Sequence, residues 1–167
     1  PTAMLDPQGR ADIMHILDEL QQHGTTIILV THHRDEFVNA DRIIRLDNGC
    51  IVQSARGNTA SIPEMDESGT AQEDNPIAKS NIANGASKPT SAVPIIEIHN
   101  LIYQYPNSSK PVLDKLSITI NEGETVAITG HNGAGKTTLA RLLCALEQPQ
   151  SGSITVNTIP VARQRAN

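Results

Sequence analysis

Aromatic residues are scarce in this chain of 167 residues, where they make up 2% of the sequence and tryptophan is absent. They are Phe37, Tyr103 and Tyr105, so the core has to be built from aliphatic side chains. Positive charge is also in short supply, because 13 Lys and Arg face 18 Asp and Glu and leave a net charge of −5. Such a chain has no net positive field to attract a phosphate backbone, which argues against a nucleic-acid binder.

Cysteines and long apolar runs are few as well. The two cysteines, Cys50 and Cys144, are too few for a disulfide framework, which predicts a protein of a reducing, cytoplasmic compartment. We expect both to be buried as small apolar side chains. No run reaches the roughly 18 apolar residues that a membrane-spanning helix needs.

Composition divides the chain into two ordered segments and a linker. Residues 57–94 are rich in Ser, Thr, Asn, Ala, Pro and Gly and contain no aromatic residue. Such a stretch cannot bury enough apolar surface to offset the entropy lost on ordering, so we predict a disordered linker there. A regulatory or docking role is the less favoured alternative. The ordered segments on either side are residues 1–56 and 95–167.

The first segment shows helix signals followed by strand signals. An Asp-Pro pair at 6–7 is typical of a helix start, apolar residues at helical spacing follow it, and Gly24 fits a helix end. The run 25–30 is continuous and β-branched, which is typical of a buried parallel strand. Residues 42–46 predict another strand, and Asp-Asn-Gly at 47–49 predicts a hairpin turn.

The second segment is mainly of strand character. The run 125–129 is apolar and of the buried type. A helix is predicted directly after a glycine-rich stretch, because leucines recur at helical spacing there. The predicted elements are strands at 95–105, 112–120, 125–129 and 152–157 and a helix over 136–147.

The strongest chemical signal is the stretch 130–137. It reads GHNGAGKT, which matches G-x-x-x-x-G-K-[ST], with an apolar strand before it and a helix after it. Glycines let the backbone wrap so that its N–H groups face a phosphate, and the helix start adds a positive dipole end. In this motif Lys136 reaches the β- and γ-phosphates and the Thr137 hydroxyl ligates Mg²⁺. A chance glycine-rich turn is the alternative, which the strand–loop–helix context disfavours.

Two residues outside this phosphate loop are further candidates. Tyr105 follows a predicted strand, and an aromatic ring there can stack on adenine; an ordinary strand-edge tyrosine is the alternative. His32 follows the carboxyl end of the strand 25–30, the edge at which ligands bind in open α/β sheets. A histidine there can contact a γ-phosphate or an attacking water, and a surface or packing histidine is the alternative. The other histidines show no metal-ligand spacing.

These motifs together resemble those of ATP-binding-cassette (ABC) ATPases. Residues 95–156 resemble the opening of such a domain, with Tyr105 as the adenine-stacking aromatic and 130–137 as the Walker A loop. Residues 1–7 resemble the stretch after the Walker B Asp-Glu, including the D-loop, and residues 31–32 resemble the switch-histidine loop. The resemblance implies an α/β fold of the P-loop NTPase type, incomplete here, with parallel core strands and an antiparallel β-subdomain.

The resemblance also implies ATP and Mg²⁺ as ligands, with a catalytic role for His32 and metal ligation by Thr137. The residues implied in nucleotide binding are Tyr105, Asn132, Gly133, Ala134, Gly135, Lys136, Thr137 and Thr138.

The two segments resemble different parts of an ABC domain. Residues 1–56 resemble the C-terminal part of a first domain, and residues 95–167 resemble the N-terminal part of a second. The sequence contains no counterpart of the Walker B strand, the catalytic Glu, the glutamine loop or the signature motif. We therefore expect a fragment of a longer tandem ATPase that is unable to hydrolyse ATP by itself.

Within the superfamily, PTAMLDPxGR at 1–10 and GHNGxGKT at 130–137 are similar to the energy-coupling-factor branch. ATPases of that branch drive vitamin and cobalt or nickel uptake and work in pairs. The resemblance implies an ATP-hydrolysing subunit at the cytoplasmic face of the cell membrane, with a transmembrane transporter subunit and a second ABC ATPase domain as partners and no nucleic acid. The alternatives are a non-transport tandem ABC ATPase on ribosomes or DNA and a nucleotide-binding module without turnover.

The two partial domains can complement each other within this chain. The resemblance implies a sheet in which 125–129 lies between 25–30 and 42–46. We predict a parallel three-strand core of this order, with the antiparallel strands to one side and an open sheet edge in place of the Walker B strand. His32 is then expected near Lys136. Two unpaired halves are the alternative.

Overall fold

The computed structural model describes residues 7–31, 36–56 and 93–161. The predicted α/β fold class is confirmed. The helices are α1 (Pro7–Gln22) and α2 (Lys136–Leu143), and the strands are β1 (Ile27–Val30), β2 (Arg42–Asp47), β3 (Cys50–Arg56), β4 (Pro94–Tyr103), β5 (Leu113–Asn121), β6 (Thr125–Thr129), β7 (Ser151–Val156) and β8 (Ile159–Pro160). His32, the stretch 1–6 and residues 57–92 of the predicted linker lie outside the described residues.

The first sheet contains the predicted parallel core. Its strand order is β1-β6-β2-β3, with β6 parallel to both β1 and β2 and the β2–β3 hairpin antiparallel. Val126 and Ala127 on β6 are 0% exposed, as expected for a central strand covered on both faces. The predicted order, with 125–129 between two strands of the first segment, is confirmed. In the described part of the chain β1 forms one edge of this sheet.

The second sheet is entirely antiparallel, in the order β5-β4-β7-β8. This confirms the predicted antiparallel group beside the parallel core. The short strand β8 was not predicted, because a two-residue strand is too short to show alternation.

One buried cluster joins the two sheets and the two segments. Ile44 and Leu46 of β2 pack in the same apolar cluster as Ile128 of β6 and Leu116 of β5. Leu46 is 0% exposed. The first segment therefore contributes side chains to a core that is otherwise built by the second.

Polar contacts close the junction between the segments at the start of β6. The Thr125 backbone N–H donates to the Asp41 carboxylate over 2.8 Å. The Arg42 guanidinium pairs with Glu124 over 3.2 Å, and both side chains are mostly buried. Because these partners are nearly buried, the pair is screened less by water than an ordinary surface ion pair.

Both helices are followed by a residue in the left-handed backbone conformation, which is a glycine after α1 and an alanine after α2. Gly24 ends α1 as predicted, at φ +84°, with the Thr25 N–H bonded to the Leu20 carbonyl. The prediction that α2 extends to residue 147 is wrong, because the helix ends at Leu143. There Ala145 takes the left-handed position at φ +56°. An alanine in this position carries no sequence signal for a helix end.

The expectation that both cysteines are buried is wrong. Cys50 and Cys144 are free and exposed. Cys50 opens β3 on an outward position of the hairpin, and Cys144 lies at the C-cap of α2, beyond its buried face.

Candidate functional site

A cleft of about 330 Å³ lies between the phosphate loop and the segment that follows β4. With the exception of Val112, its lining residues were all predicted as nucleotide-binding. The lining residues are Tyr105, Val112, Asn132, Gly133, Gly135, Lys136, Thr137 and Thr138.

Three glycines give the phosphate loop its shape, since Gly130, Gly133 and Gly135 have φ values of +146°, +88° and +100°. A Cβ at Gly130 would lie 2.3 Å from the Leu46 carbonyl oxygen, and one at Gly135 would lie 2.7 Å from Leu113 Cδ2. At Gly133, by contrast, a Cβ would meet nothing within 4 Å. The two outer glycines allow the loop to pack closely on the core, while the middle one borders open space that a ligand can enter.

Lys136 places a cation inside this loop. Its ammonium donates to the Gly130 carbonyl over 2.8 Å and to the His131 carbonyl over 2.9 Å. Burial lowers the pKa of Lys136 from its usual 10.5. An ammonium has three N–H donors, so one remains for an anion after these two bonds.

The start of α2 adds backbone donors to the same cleft. The helix begins at Lys136, and its N-cap residue is Gly135, which has no side chain to accept a hydrogen bond from the first N–H groups. The first N–H groups of a helix have no partner within the helix, and the helix dipole favours negative charge at this end. Lys136, Thr137 and Thr138 therefore combine a charge, two hydroxyls and a helix start, an arrangement suited to phosphate.

Tyr105 stands at the other side of the cleft. Its hydroxyl lies 3.2 Å from Thr138 Oγ1 on α2. Its ring meets Tyr103 edge-on, with ring centroids 5.0 Å apart and planes at 90°. The structure thus brings Tyr105 and the phosphate loop together, and adenine stacking by this ring stays a prediction.

The Tyr103 side chain is held in place by burial and by a hydrogen bond to Glu147. It is 5% exposed, and its hydroxyl donates to Glu147 over 2.9 Å. Burial, followed by the hydrogen bond to Glu147, raises the pKa of Tyr103. Arg141 of α2 pairs with the other Glu147 oxygen at 2.9 Å. The Tyr103 ring that contacts Tyr105 edge-on is therefore fixed in position through Glu147.

Two predicted site residues differ from the rest. Ala134 is 0% exposed and packs in the buried apolar cluster, so this residue of the loop does not line the cleft. His32 lies outside the described residues, and its expected approach to Lys136 stays a prediction. Among residues 7–31, 36–56 and 93–161, no group of three or more His, Cys, Asp or Glu is placed to hold a metal ion.

Sequence reasoning missed the β2–β3 turn as part of this site. The Gly49 N–H donates to the Ala134 carbonyl over 3.2 Å, and Asp47 Oδ1 lies 2.7 Å from Nε2 of His131. The sequence predicted only that these residues form a turn. Nothing local to 47–49 indicates a contact with a loop that lies 84 positions further along the chain.

Comparisons with known proteins agree on one family. Residues 113–167 match the family model described as ABC transporter. An ABC transporter ATP-binding protein of Bifidobacterium longum is 42% identical over 185 aligned positions, covering 97% of this chain and 24% of that protein. One of Enterococcus faecalis is 28% identical and covers 92% of this chain and 33% of that protein. The predicted resemblance to ABC ATPases is confirmed.

A more local match concerns the energy-coupling-factor branch. An energy-coupling factor transporter ATP-binding protein of Latilactobacillus sakei is 50% identical over 68 residues, covering 41% of this chain and 24% of that protein. A solved bacterial Atm1-family ABC exporter with ATP bound aligns at 32% identity and a TM-score of 0.39, covering 46% of this chain and 14% of that chain.

Proposed function

We propose that this chain, which matches the ABC transporter family over residues 113–167, binds ATP with Mg²⁺ in the cleft between Tyr105 and the phosphate loop. The observation that carries the proposal is the convergence of Lys136, the open backbone at Gly133, the start of α2 and Tyr105 on one cleft. Phosphate recognition needs the first three of these, and a purine base needs the fourth. Calorimetric titration of the chain with Mg-ATP tests the proposal directly.

The proposed roles follow from the chemistry of each group. The Lys136 ammonium pairs with the β- and γ-phosphates, and the backbone N–H groups of Asn132, Gly133 and Gly135 surround them. Thr137 supplies a hydroxyl oxygen to Mg²⁺, which keeps most of its other ligands from water and phosphate oxygens. Thr138 lies behind them and holds the Tyr105 hydroxyl.

We propose a role in membrane transport for a longer protein of which this chain is a part. The chain spans about a quarter to a third of the length of the curated relatives it matches. We propose that the longer protein hydrolyses ATP as a peripheral subunit on the cytoplasmic side of a membrane, joined to a transmembrane transporter subunit and a second ABC ATPase domain. Among the helices that the structure describes, none is long and apolar enough to cross a bilayer.

The finer assignment is an energy-coupling-factor transporter. It is supported by the motifs at 1–10 and 130–137 and by the 50% identity to such a protein over 68 residues. The alignment with the Bifidobacterium protein covers 97% of this chain, which supports a parent in which the two segments also lie on one polypeptide. Co-purification of that parent with a membrane component tests the assignment, and co-purification with ribosomes contradicts it.

Replacing Tyr105 by alanine is expected to weaken ATP binding while leaving free triphosphate binding nearly unchanged. The ring has no phosphate contact to lose, whereas loss of aromatic stacking costs about 1–3 kcal/mol per base. Calorimetric dissociation constants for Mg-ATP and Mg-tripolyphosphate, measured on both proteins, give the two losses. Tyr105→Phe is the matched control, because it keeps the ring and removes only the hydroxyl near Thr138. Equal losses for both ligands in Tyr105→Ala contradict adenine stacking.

His32→Ala is expected to spare ATP binding and to reduce hydrolysis in the longer protein, because the resemblance places this histidine at the γ-phosphate. The neighbouring His33→Ala is the matched control and should leave both properties unchanged. Steady-state phosphate release and equilibrium nucleotide binding are the two measurements. Loss of binding together with loss of the fold would instead identify His32 as a packing residue.

A further inference from the structure

The β2–β3 turn supports the outer side of the phosphate loop at two points. Gly49 donates its N–H to the Ala134 carbonyl, and Asp47 holds the His131 ring. Gly49 has no room for a side chain, since a Cβ there would lie 2.3 Å from the Val112 carbonyl oxygen. The turn belongs to the first segment and the loop to the second, so the shape of the loop depends on both.

The His131 ring faces two hydrogen-bond acceptors. Nε2 lies 2.7 Å from Asp47 Oδ1, and Nδ1 lies 2.7 Å from the Asn132 carbonyl oxygen. A neutral imidazole has one N–H and can satisfy only one of them, whereas an imidazolium donates to both. The geometry therefore requires the protonated ring if both contacts are to be hydrogen bonds.

We infer that Asp47 and His131 are positioning residues, which hold the phosphate loop in its nucleotide-binding shape through an imidazolium that bridges the β2–β3 turn and the Asn132 backbone. This role rests on the proposed function, nucleotide binding at the loop. Neither side chain lines the cleft, so both act through the loop backbone. The His131 carbonyl also accepts a hydrogen bond from Lys136, which links the bridge to the phosphate-binding cation.

The electrostatics of the site agree with a protonated ring. The hydrogen bond to the Asn132 carbonyl and then that to Asp47 raise the pKa of His131 above its ordinary 6.5, against opposing contributions from burial and from Lys136. Asp47 and Lys136 are the charged groups acting on the ring from the turn and from its own loop. Because the pKa is raised, the contribution of the bridge is fully present below about pH 6.5 and is lost as the pH rises through the higher value of the folded state.

The expected effect is modest because both side chains are about half exposed, 46% for His131 and 43% for Asp47. Solvent-exposed charged contacts of this kind change an equilibrium by about two- to fivefold. His131→Gln should therefore weaken Mg-ATP binding about two- to fivefold near pH 6 and much less near pH 9. Comparing variant and wild type at each pH removes the titration of ATP itself, which is common to both.

The experiment combines two measurements on the full chain. Calorimetry gives the dissociation constant of Mg-ATP at several pH values for the wild type, His131→Gln, Asp47→Asn and the double variant. NMR of ¹⁵N-labelled imidazoles gives the pKa of His131 without nucleotide. His99→Gln is the control, since the His99 ring lies 3.9 Å from the Glu97 carboxylate on the second sheet, away from the phosphate loop.

The positioning role predicts that Asp47→Asn lowers the pKa of His131, and that the double variant binds no more weakly than the weaker single variant. Parallel pH profiles for wild type and His131→Gln, with ATP binding intact, would overturn the positioning role alone. Absence of saturable ATP binding in the wild type would overturn the proposed function, and the positioning role with it.

Discussion

Lys136→Ala weakens ATP binding by at least about tenfold if the cleft is a nucleotide site. A charge-assisted hydrogen bond contributes about 1.5–3 kcal/mol, and every 1.4 kcal/mol corresponds to about a factor of ten in dissociation constant. The loss should be similar for Mg-ATP and Mg-tripolyphosphate, because the ammonium meets phosphate rather than base. Calorimetric titration with both ligands measures it.

The matched control for this variant is Lys115→Ala, which removes an exposed lysine on β5 and leaves the net charge of the two variants equal. It should bind both ligands as the wild type does. Lys136 also bonds two carbonyls of its own loop, so thermal unfolding of each variant has to accompany the titration. Unchanged ATP affinity in a folded Lys136→Ala protein would remove the phosphate loop from the proposed site.

The second large effect is on stability. Leu46→Ala should lower the free energy of unfolding by about 2–5 kcal/mol, because it opens a cavity where a fully buried leucine joins the two segments. Domains of this size are commonly stable by only about 5–15 kcal/mol. Chemical denaturation, followed by amide exchange in β5 and β6, measures the loss and its extent.

Val52→Ala is the control for Leu46→Ala, since Val52 lies on the adjacent strand β3 and is 56% exposed. Its effect should stay within about 0.5 kcal/mol. If both sheets share one core, Leu46→Ala speeds exchange in β5 as well as in β6. Faster exchange confined to the first segment would show that the two segments fold separately.

Features carried by short, local patterns could be predicted from the sequence. The β-branched run at 25–30 and the apolar run at 125–129 read as buried parallel strands, and the structure pairs them in that way. The phosphate loop was recognised because the glycines and Lys136 occur in a fixed spacing between a strand and a helix. Tyr105 was predicted as an adenine-stacking residue because it is an aromatic residue that follows a predicted strand, and the family resemblance supported that role.

Features that depend on distant contacts could not be predicted. The bond between Asp47 and His131 joins residues that only the sheet order brings together. Asp47 was predicted only as part of a turn, and His131 only as a position in the phosphate loop. The end of α2 was missed because Ala145 occupies a position where glycine is the usual signal. The exposure of Cys50 depends on which face of the hairpin packs inward, which composition alone does not specify.

In the proposed function, ATP binds between Tyr105 and the phosphate loop on a core built from both segments. An NMR titration of the ¹⁵N-labelled chain with a non-hydrolysable Mg-ATP analogue tests it most directly. We expect saturable, one-site chemical-shift changes centred on the amides of 132–138 and extending to Gly49 of the first segment, with the amides of β7 unaffected. Absence of saturable changes, or changes centred away from the phosphate loop, would contradict it.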